Sequence, residues 1–469
     1  MAKKPRGLQR KAIPRSISAS LAGIRAGGAL AVDSALQKLM RRDSEGEDSE
    51  FARREARRFV NELGKLKGTY VKIGQMMALF GEHFLPPVLA EAMRSLGDQT
   101  EPLSWQLIAP VLRTSLGARY VELDIEREAL AAASLAQVHV ATVRASGEKI
   151  CLKVQYPGLA EVIDSDFDAV VRMLMMSRWL QAGRDLDDWL DSMRKHLHNE
   201  IDYRREAELT TRMAQLTKGV GTSGVSYRVP TIHPRYCSDV VLAMEFMEGV
   251  PVTAQAVATL PLERRNALAQ AMLDLFFYEL YDWGCLQTDP NFGNYLVCLD
   301  EKRKKYAMDV LVLLDFGSIL DCDDNFLYHL RNTIDAGLRQ DYELLGESLI
   351  GLGCLKENAS AEARQLFAEF CLHLLEPLRP AAELPREYLN DEGKYCWGRS
   401  RLIHRAGKRA AVSATSRHFT PPSREFALIA RKLTGVFTFI SVLGAEFNAY
   451  DLVAAHIVRW RERERLGGS

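Results

Sequence analysis

Apolar and other residues alternate along Ile150-Cys151-Leu152-Lys153-Val154, which predicts a strand presenting Lys153. Upstream, the run Leu130-Ala131-Ala132-Ala133-Ser134-Leu135 reads as a turn of small residues leading into a second alternating strand through Val140, and Ser146-Gly147 supplies the turn between the two. A further strand is predicted over 240–247, ending at Glu248-Gly249, and the continuous apolar run 310–314 predicts a buried one. Helical spacing is read at about 51–80, 190–211, 325–339, 342–352, 360–375 and 423–461, with Pro377, Pro380, Pro385, Pro421 and Pro422 marking breaks. The acidic, Ser-containing stretch 42–50 reads as a linker.

Two polar motifs interrupt this pattern in a fixed order. Asp289-Pro290-Asn291-Phe292-Gly293-Asn294 precedes a strand, a charged turn at 300–305, the buried strand 310–314 and then Asp315-Phe316-Gly317. An Asp-Phe-Gly triplet alone is a strand followed by a turn with its Phe in the core. The ordered combination matches the phosphate and metal side of a protein-kinase-like site. There an Asp lies near the incoming nucleophile, an Asn five positions later meets a metal ion, and a second Asp completes the metal contact. One amide oxygen and one carboxylate, joined by phosphate oxygens and water, suit magnesium better than zinc or iron. On this reading Asp289 is the catalytic base or water orienter, Asn294 and Asp315 are metal ligands, and Lys153 grips the nucleotide phosphates with Glu206 as its ion-pair partner. The interval between Lys153 and Glu206 is longer than in ordinary protein kinases and requires an insertion. Ala131, Ala132, Ala133 and Ser134 would cover the phosphates. The strand carrying Glu245 and Met247 would be a hinge offering backbone groups to adenine.

Three further motifs give the chain a family likeness. Lys72-Ile73-Gly74-Gln75 fits a Lys-x-Gly-Gln signature, Ala131-Ala132-Ala133-Ser134 an alanine-rich nucleotide loop, and Glu200-Ile201-Asp202 a Glu-x-Asp signature. With these, the chain resembles the UbiB family of atypical kinase-like proteins, also called AarF or ABC-one, over roughly 64–344. The resemblance implies a bilobal α+β kinase-like fold with an N-terminal helical extension and an extended helical C-lobe, binding ATP or ADP with Mg2+ between lobes. It also implies a gate of Lys72, Gly74, Gln75, Glu200 and Asp202 that fills the groove of a protein substrate, so that phosphorylation of proteins in trans is poor. The implied activity is ATPase-like or selective phosphotransfer that supports ubiquinone biosynthesis at a membrane, with quinone-biosynthesis enzymes or lipid intermediates as partners. The expected divisions are 1–50, a basic segment and linker; 51–125, the extension; 126–248, an N-lobe with insertion; and 249–469, the C-lobe. The family often has His two residues before the loop Asp and His-Pro after it. This chain has Gln287, Asn291 and Phe292, and an amide orients a loop but exchanges no proton near neutral pH.

Two other readings stay open. Small-molecule kinases share the Asp-x4-Asn loop, although the Lys-x-Gly-Gln and alanine-rich motifs argue against them, and a nucleotide-binding scaffold without phosphotransfer is favoured by the missing loop His. Composition narrows the setting. The 469 residues carry 61 Lys and Arg against 61 Asp and Glu, which with the overall balance argues against a nucleic-acid partner, and the tail Arg459, Arg461, Arg463, Arg465 reads as a solvated helix end. Eight Cys without close pairing argue against a zinc ribbon or a disulfide framework. No apolar run reaches the roughly 18 residues of a membrane span. Basic residues outnumber acidic ones two to one over the first sixty positions, and 13–40 mixes Leu, Ile, Ala and Gly. That segment reads equally as a surface helix on an anionic membrane and as a basic tail followed by a helix packed on the core. The expected setting is the bacterial cytoplasm, peripheral to the inner membrane, or the mitochondrial matrix in a eukaryote. The sequence does not set the oligomeric state.

Overall fold

The computed structural model describes residues 50–66, 68–80, 84–96, 101–177, 179–180, 186–222, 224–299, 308–407 and 423–467. The expected surface segment at 13–40, most of the linker at 42–50, the charged turn at 300–305 and Pro421 with Pro422 lie outside the described residues. In chain order the longer elements are α1 (Glu50–Leu66), α2 (Thr69–Phe80), α3 (Pro87–Arg94), α4 (Trp105–Leu116), β1 (Leu123–Ile125), β2 (Ala131–Ala132), β3 (Ala136–Val143) and β4 (Lys149–Gln155). Next come α5 (Leu159–Met176), α6 (Leu186–Asn199), α7 (Tyr203–Leu216), β5 (Gly221–Thr222), β6 (Val225–Arg228), β7 (Val241–Glu245), β8 (Val250–Pro251) and α8 (Leu262–Phe277). The remainder are β9 (Cys285–Gln287), β10 (Tyr295–Cys298), β11 (Asp309–Leu313), β12 (Ile319–Asp321), α9 (Asp324–Arg339), α10 (Tyr342–Gly351), α11 (Ala361–Leu374), α12 (Arg424–Val442) and α13 (Tyr450–Gly467). The chain divides into two compact units, Met1–Glu208 with Ile232–Phe246, and Leu209–Thr231 with Met247–Ser469.

The first unit is built on the antiparallel sheet β1-β3-β4-β7, with β2 on the edge of β3. Strand period two decides what β4 presents. Ile150, Leu152 and Val154 are buried with Ile108, Leu112 and Leu116 of α4, each such side chain contributing roughly 1.5–3 kcal/mol of transfer free energy. Cys151, Lys153 and Gln155 therefore share the opposite face. A separate helical core gathers Phe59, Leu63, Ile73, Met77, Phe167, Val170 and Trp179. The expected single helix over 51–80 is two helices, because Gly68 takes φ +61°, a left-handed conformation that ends one helix before the next begins. The expected helix over 190–211 is likewise split into α6 and α7, and α5 and α6 form the insertion between Lys153 and Glu206.

The second unit carries the sheet β5-β6-β11-β10-β8, in which β6 and β11 run parallel and the other pairs antiparallel, and the small pair β9 and β12. α8 is buried almost all round from Leu268 to Phe277 and runs into one turn of π-helix, Tyr278–Trp283. Leu273, Phe276 and Phe277 of α8 join Ile429, Val436 and Phe437 of α12 and Val453 and Trp460 of α13 in one core. The expected helix over 423–461 is broken because Gly444 adopts φ +57°, and α13 starts at Tyr450. Among the described residues no helix is long and apolar enough to cross a membrane.

All eight cysteines are free. Burial raises every thiol, pushing Cys151 and Cys285 up to about 11 and Cys322 and Cys354 up to about 12. Thiolate is the reactive form. Iodoacetamide labelling at pH 7.5 is therefore expected to be at least about tenfold slower at each cysteine of the folded chain than after denaturation. Mass spectrometry of the labelled sites would reveal any exception.

Candidate functional site: a strand lysine and an Asp-x4-Asn loop

Lys153 leaves β4 on the face opposite the buried aliphatic row, and its ammonium lies 2.6 Å from Glu206 Oε1. The Glu206 side chain is almost wholly buried, and the Lys153 ammonium also stands 5.4 Å from the centre of the Tyr203 ring. Glu206 belongs to the first turn of α7, where the helix dipole favours a carboxylate. The break before α7 has a chemical cause in Asp202, whose Oδ1 accepts from Arg205 N at 3.0 Å while its carbonyl accepts from Glu206 N. Two residues earlier, Glu200 Oε1 meets Lys72 Nζ at 2.7 Å. The Gln155 side chain donates to the carbonyl of Ile201 between them. The Lys72–Glu200 pair therefore lies two residues before the cap of the helix that carries Glu206. Gln75 points elsewhere, donating to Leu96 O at 3.0 Å. A Cβ on Gly74 would approach Leu96 Cδ1 to 2.5 Å and Leu63 Cδ2 to 2.9 Å, so this glycine lets α2 pack closely on its neighbours.

The alanine-rich stretch forms part of a tight hairpin. Ala131 and Ala132 pair with Val138 and Gln137, Ala133 N donates to Ala136 O at 2.8 Å, and Ser134 is buried. The Tyr156 hydroxyl holds the bend by donating to Ala133 O at 2.9 Å, and burial pushes its phenol up to about 12. Glu245 ends β7 opposite Ile150, and Met247 is buried just beyond the end of the first unit.

In the second unit, β9 and β12 fix the entry to the Asp289 loop. Thr288 binds Ser318 O at 2.9 Å through both its backbone N–H and its hydroxyl. Asn291 accepts from Gly293 N within the loop, and Asn294 Nδ2 donates to Asp289 Oδ2 at 3.0 Å. The register Tyr295 to Leu313 places the end of the loop beside the Asp-Phe-Gly turn, where Leu314 N donates to Asn294 O at 2.9 Å. Asp315 Oδ1 accepts from Gly317 N, and Phe316 is buried in the core. Asn294 and Asp315 thus stand at one end of the β10–β11 pair, an amide and a carboxylate of the donor type magnesium takes. The Asn294 NH2 faces Asp289, which leaves the amide oxygen as the atom suited to a cation.

A second layer behind this loop comes from α12. Arg431 Nη2 reaches Asp289 Oδ1 at 3.3 Å. The next residue, Lys432, is buried and donates to Gln287 Oε1 at 3.2 Å and Tyr295 Oη at 3.1 Å, with Glu279 Oε2 at 3.5 Å. Burial pushes the Glu279 carboxyl up to about 7 against the pull of Lys432. Burial opposes the Lys432 charge as well, yet Glu279 and Tyr295 hold its ammonium above the ordinary value. Gln155, Tyr156, Glu279, Arg431 and Lys432 were absent from the sequence expectations. The available signal was a charge set in an apolar pattern, Glu279 within Leu275-Phe276-Phe277-Tyr278-Glu279-Leu280 and Lys432 beside Ile429 and Leu433.

A strand lysine gripped by a helix glutamate, together with Asp-x4-Asn and Asp-Phe-Gly ordered around a hairpin, defines a mixed α+β protein of the protein-kinase-like class. The chain belongs to the ABC1 atypical kinase-like family, whose domain it matches over residues 95–349. Atypical kinase COQ8, mitochondrial, of Saccharomyces cerevisiae is 27% identical over 397 residues, 84% of this chain and 74% of that protein. Atypical kinase COQ8B, mitochondrial, of Danio rerio is 29% identical over 401 residues, 85% of this chain but 60% of that protein, so the chain spans only part of such relatives. Among solved structures, the Rv3197–erythromycin complex from Mycobacterium tuberculosis covers 90% of this chain and 97% of its own, with TM-score 0.58 and 22% identity, a likeness of fold.

Removing the cap at Asp202 is expected to lower stability by about 1 kcal/mol in Asp202→Ala, whereas Asp202→Asn, which also caps, should stay near wild type. Urea denaturation reads both, and equal losses would show that Asp202 does not act as a cap. In α12, a Cβ on Gly435 would lie 2.1 Å from Pro290 Cβ. Because a proline ring cannot rotate away, Gly435→Ala is expected to cost about 1–3 kcal/mol despite alanine's better helix propensity. A denaturation midpoint equal to wild type would contradict this.

Proposed function

We propose that the chain binds ATP or ADP with Mg2+ and works as an atypical kinase-like ATPase or phosphotransferase that supports isoprenoid quinone (ubiquinone) biosynthesis at a membrane surface. The observation that carries the reading is the shared position of Asn294 and Asp315 at one end of β10 and β11, with Asp289 bonded to Asn294. Asn294 and Asp315 hold the magnesium ion, which neutralises phosphate charge when bound. Lys153, kept in place by Glu206, takes oxygens of the α and β phosphates, and 131–134 cover the phosphates with backbone. Glu245 and Met247 bracket the adenine. Asp289 orients the attacking hydroxyl or water and receives its proton. Lys72, Gly74, Gln75, Glu200 and Asp202 form the gate against protein substrates. Quinone-biosynthesis enzymes, lipid intermediates and an anionic membrane are the partners that kinship with the COQ8 proteins suggests.

One observation favours the second reading, a nucleotide-binding scaffold. Both Asp289 oxygens are engaged, by Arg431 and by Asn294, and Gln287 supplies no exchangeable proton.

Thermal shift and turnover separate the two. Asp315→Asn is expected to abolish the magnesium-dependent stabilisation by ADP, and an unchanged shift would sink the metal assignment. Asp289→Asn should keep that stabilisation and lower ATP turnover by about 100-fold. Tight nucleotide binding without wild-type turnover, with and without anionic liposomes and a quinone-precursor-like phenol, would favour the scaffold.

A further inference from the structure

We propose that Lys432 of α12 is a positioning residue for the loop 288–294, acting through Gln287 and Tyr295, which flank that loop on its two sides. The importance of the loop rests on the function proposed above; its support by Lys432 rests on geometry alone.

The ammonium is 1% exposed and has three polar partners: Gln287 Oε1, Tyr295 Oη and Glu279 Oε2. Tyr295 also lies within hydrogen-bond reach of Gln287 Oε1, at 3.4 Å, so the residues before and after the loop share one cation. Glu279 closes the arrangement as the buried counter-charge, its Oε2 3.5 Å from the same ammonium. The opposite end of the Gln287 amide donates to Asp315 O at 3.3 Å. A cation on the amide oxygen polarises the amide and strengthens donation from its NH2, so the charge of Lys432 is felt at the backbone of the Asp-Phe-Gly turn.

Packing along α12 points the same way. Arg431 bonds Asp289, Gly435 lets Pro290 rest against the helix backbone, and the Phe439 ring stands edge-on to Phe292 and Tyr295 at 6.1 and 5.8 Å. The loop therefore meets α12 at Asp289, Pro290 and Phe292, with Lys432 anchoring both of its ends. A lysine buried only to stabilise the core would be a poor solution, since neutral groups of similar volume serve as well or better. A lysine whose ammonium bonds the two residues flanking a functional loop has a use that an apolar side chain cannot replace.

The test uses the full chain as wild type, Glu279→Gln/Lys432→Met, Gln287→Met and the triple variant. The double variant removes both buried charges together, so no uncompensated ion is left inside, and Gln287→Met keeps the Lys432–Glu279 pair intact should the double variant not fold. Hydrogen exchange over 288–294 is expected to be at least about tenfold faster in the double variant and in Gln287→Met, with α8 and α9 unchanged. The triple variant should be no faster than either, because both changes break the same link. Turnover at saturating ATP should fall at least about tenfold while nucleotide affinity stays within about threefold. Loop exchange equal to wild type in a folded variant, exchange that rises across the whole unit, or fully additive effects would overturn the proposal. A wild-type chain that neither hydrolyses ATP nor responds to magnesium nucleotide would sink the functional reading instead. The exchange comparison would still decide the role of Lys432.

Discussion

Two lysines are held by buried glutamates, Lys432 deep in the interior and Lys153 at a half-buried position. An ammonium and a carboxylate withdrawn from water each forfeit several kcal/mol of hydration, and mutual attraction recovers it only when the remaining polar atoms are also bonded. That requirement organises the surroundings. Lys153 and Glu206 are 2.6 Å apart, and the helix presenting Glu206 is started by Asp202 and approached through the Gln155 bond to Ile201. Lys432 and Glu279 are 3.5 Å apart, and Tyr295 and Gln287 accept hydrogen bonds from the Lys432 ammonium. Neither pair is an economical way to add stability. Both are effective ways to fix the position of a polar group.

The motif residues divide accordingly between those that present chemistry and those that hold it. Asp202 and Glu200 act at the entry of α7, one as a cap and the other as the partner of Lys72, so a three-residue motif sets where Glu206 stands. Gly74 and Gly435 have a different part. At both, the missing side chain lets a helix come close to a neighbour, Leu96 in the first case and Pro290 in the second. Gln75 follows neither pattern and spends its amide on the carbonyl of Leu96, which ties α2 to the end of α3.

The strands were legible because period-two alternation reports burial directly, as in β4, where Ile150, Leu152 and Val154 face the core. Helix existence was legible too, but the breaks were not. Apolar spacing runs through Gly68, through Glu200 to Asp202 and through Gly444 without interruption, and the chain turns there because of a backbone conformation or a cap rather than a change in polarity. In the site, Asp289, Asn294 and Asp315 could be singled out because they lie close along the chain in a recurring order. Lys432 could not. Its hydrogen-bond acceptors Tyr295 and Gln287 are 137 and 145 positions away, and a single charge on a helix says only that something unusual is buried. What pairs with it is a property of the fold.

Gln287, at the position where the family resembled often carries histidine, gains a physical reading from this arrangement. An imidazole can orient a loop and also shift a proton, whereas an amide can only orient, and it does so best when both ends are engaged. In this chain the carbonyl end of Gln287 meets a cation and the NH2 end meets the backbone of Asp315. The amide thus connects the C-terminal helix to the turn bearing the metal-type carboxylate, without any group that titrates at that position. Asp289 is treated in the same way, with Arg431 on one oxygen and Asn294 on the other. A carboxylate so held keeps a defined direction, while the remaining lone pairs of its oxygens stay available to a reacting group. Under the function proposed above, the grip of α12 on the loop is the point at which turnover and nucleotide binding without turnover would part.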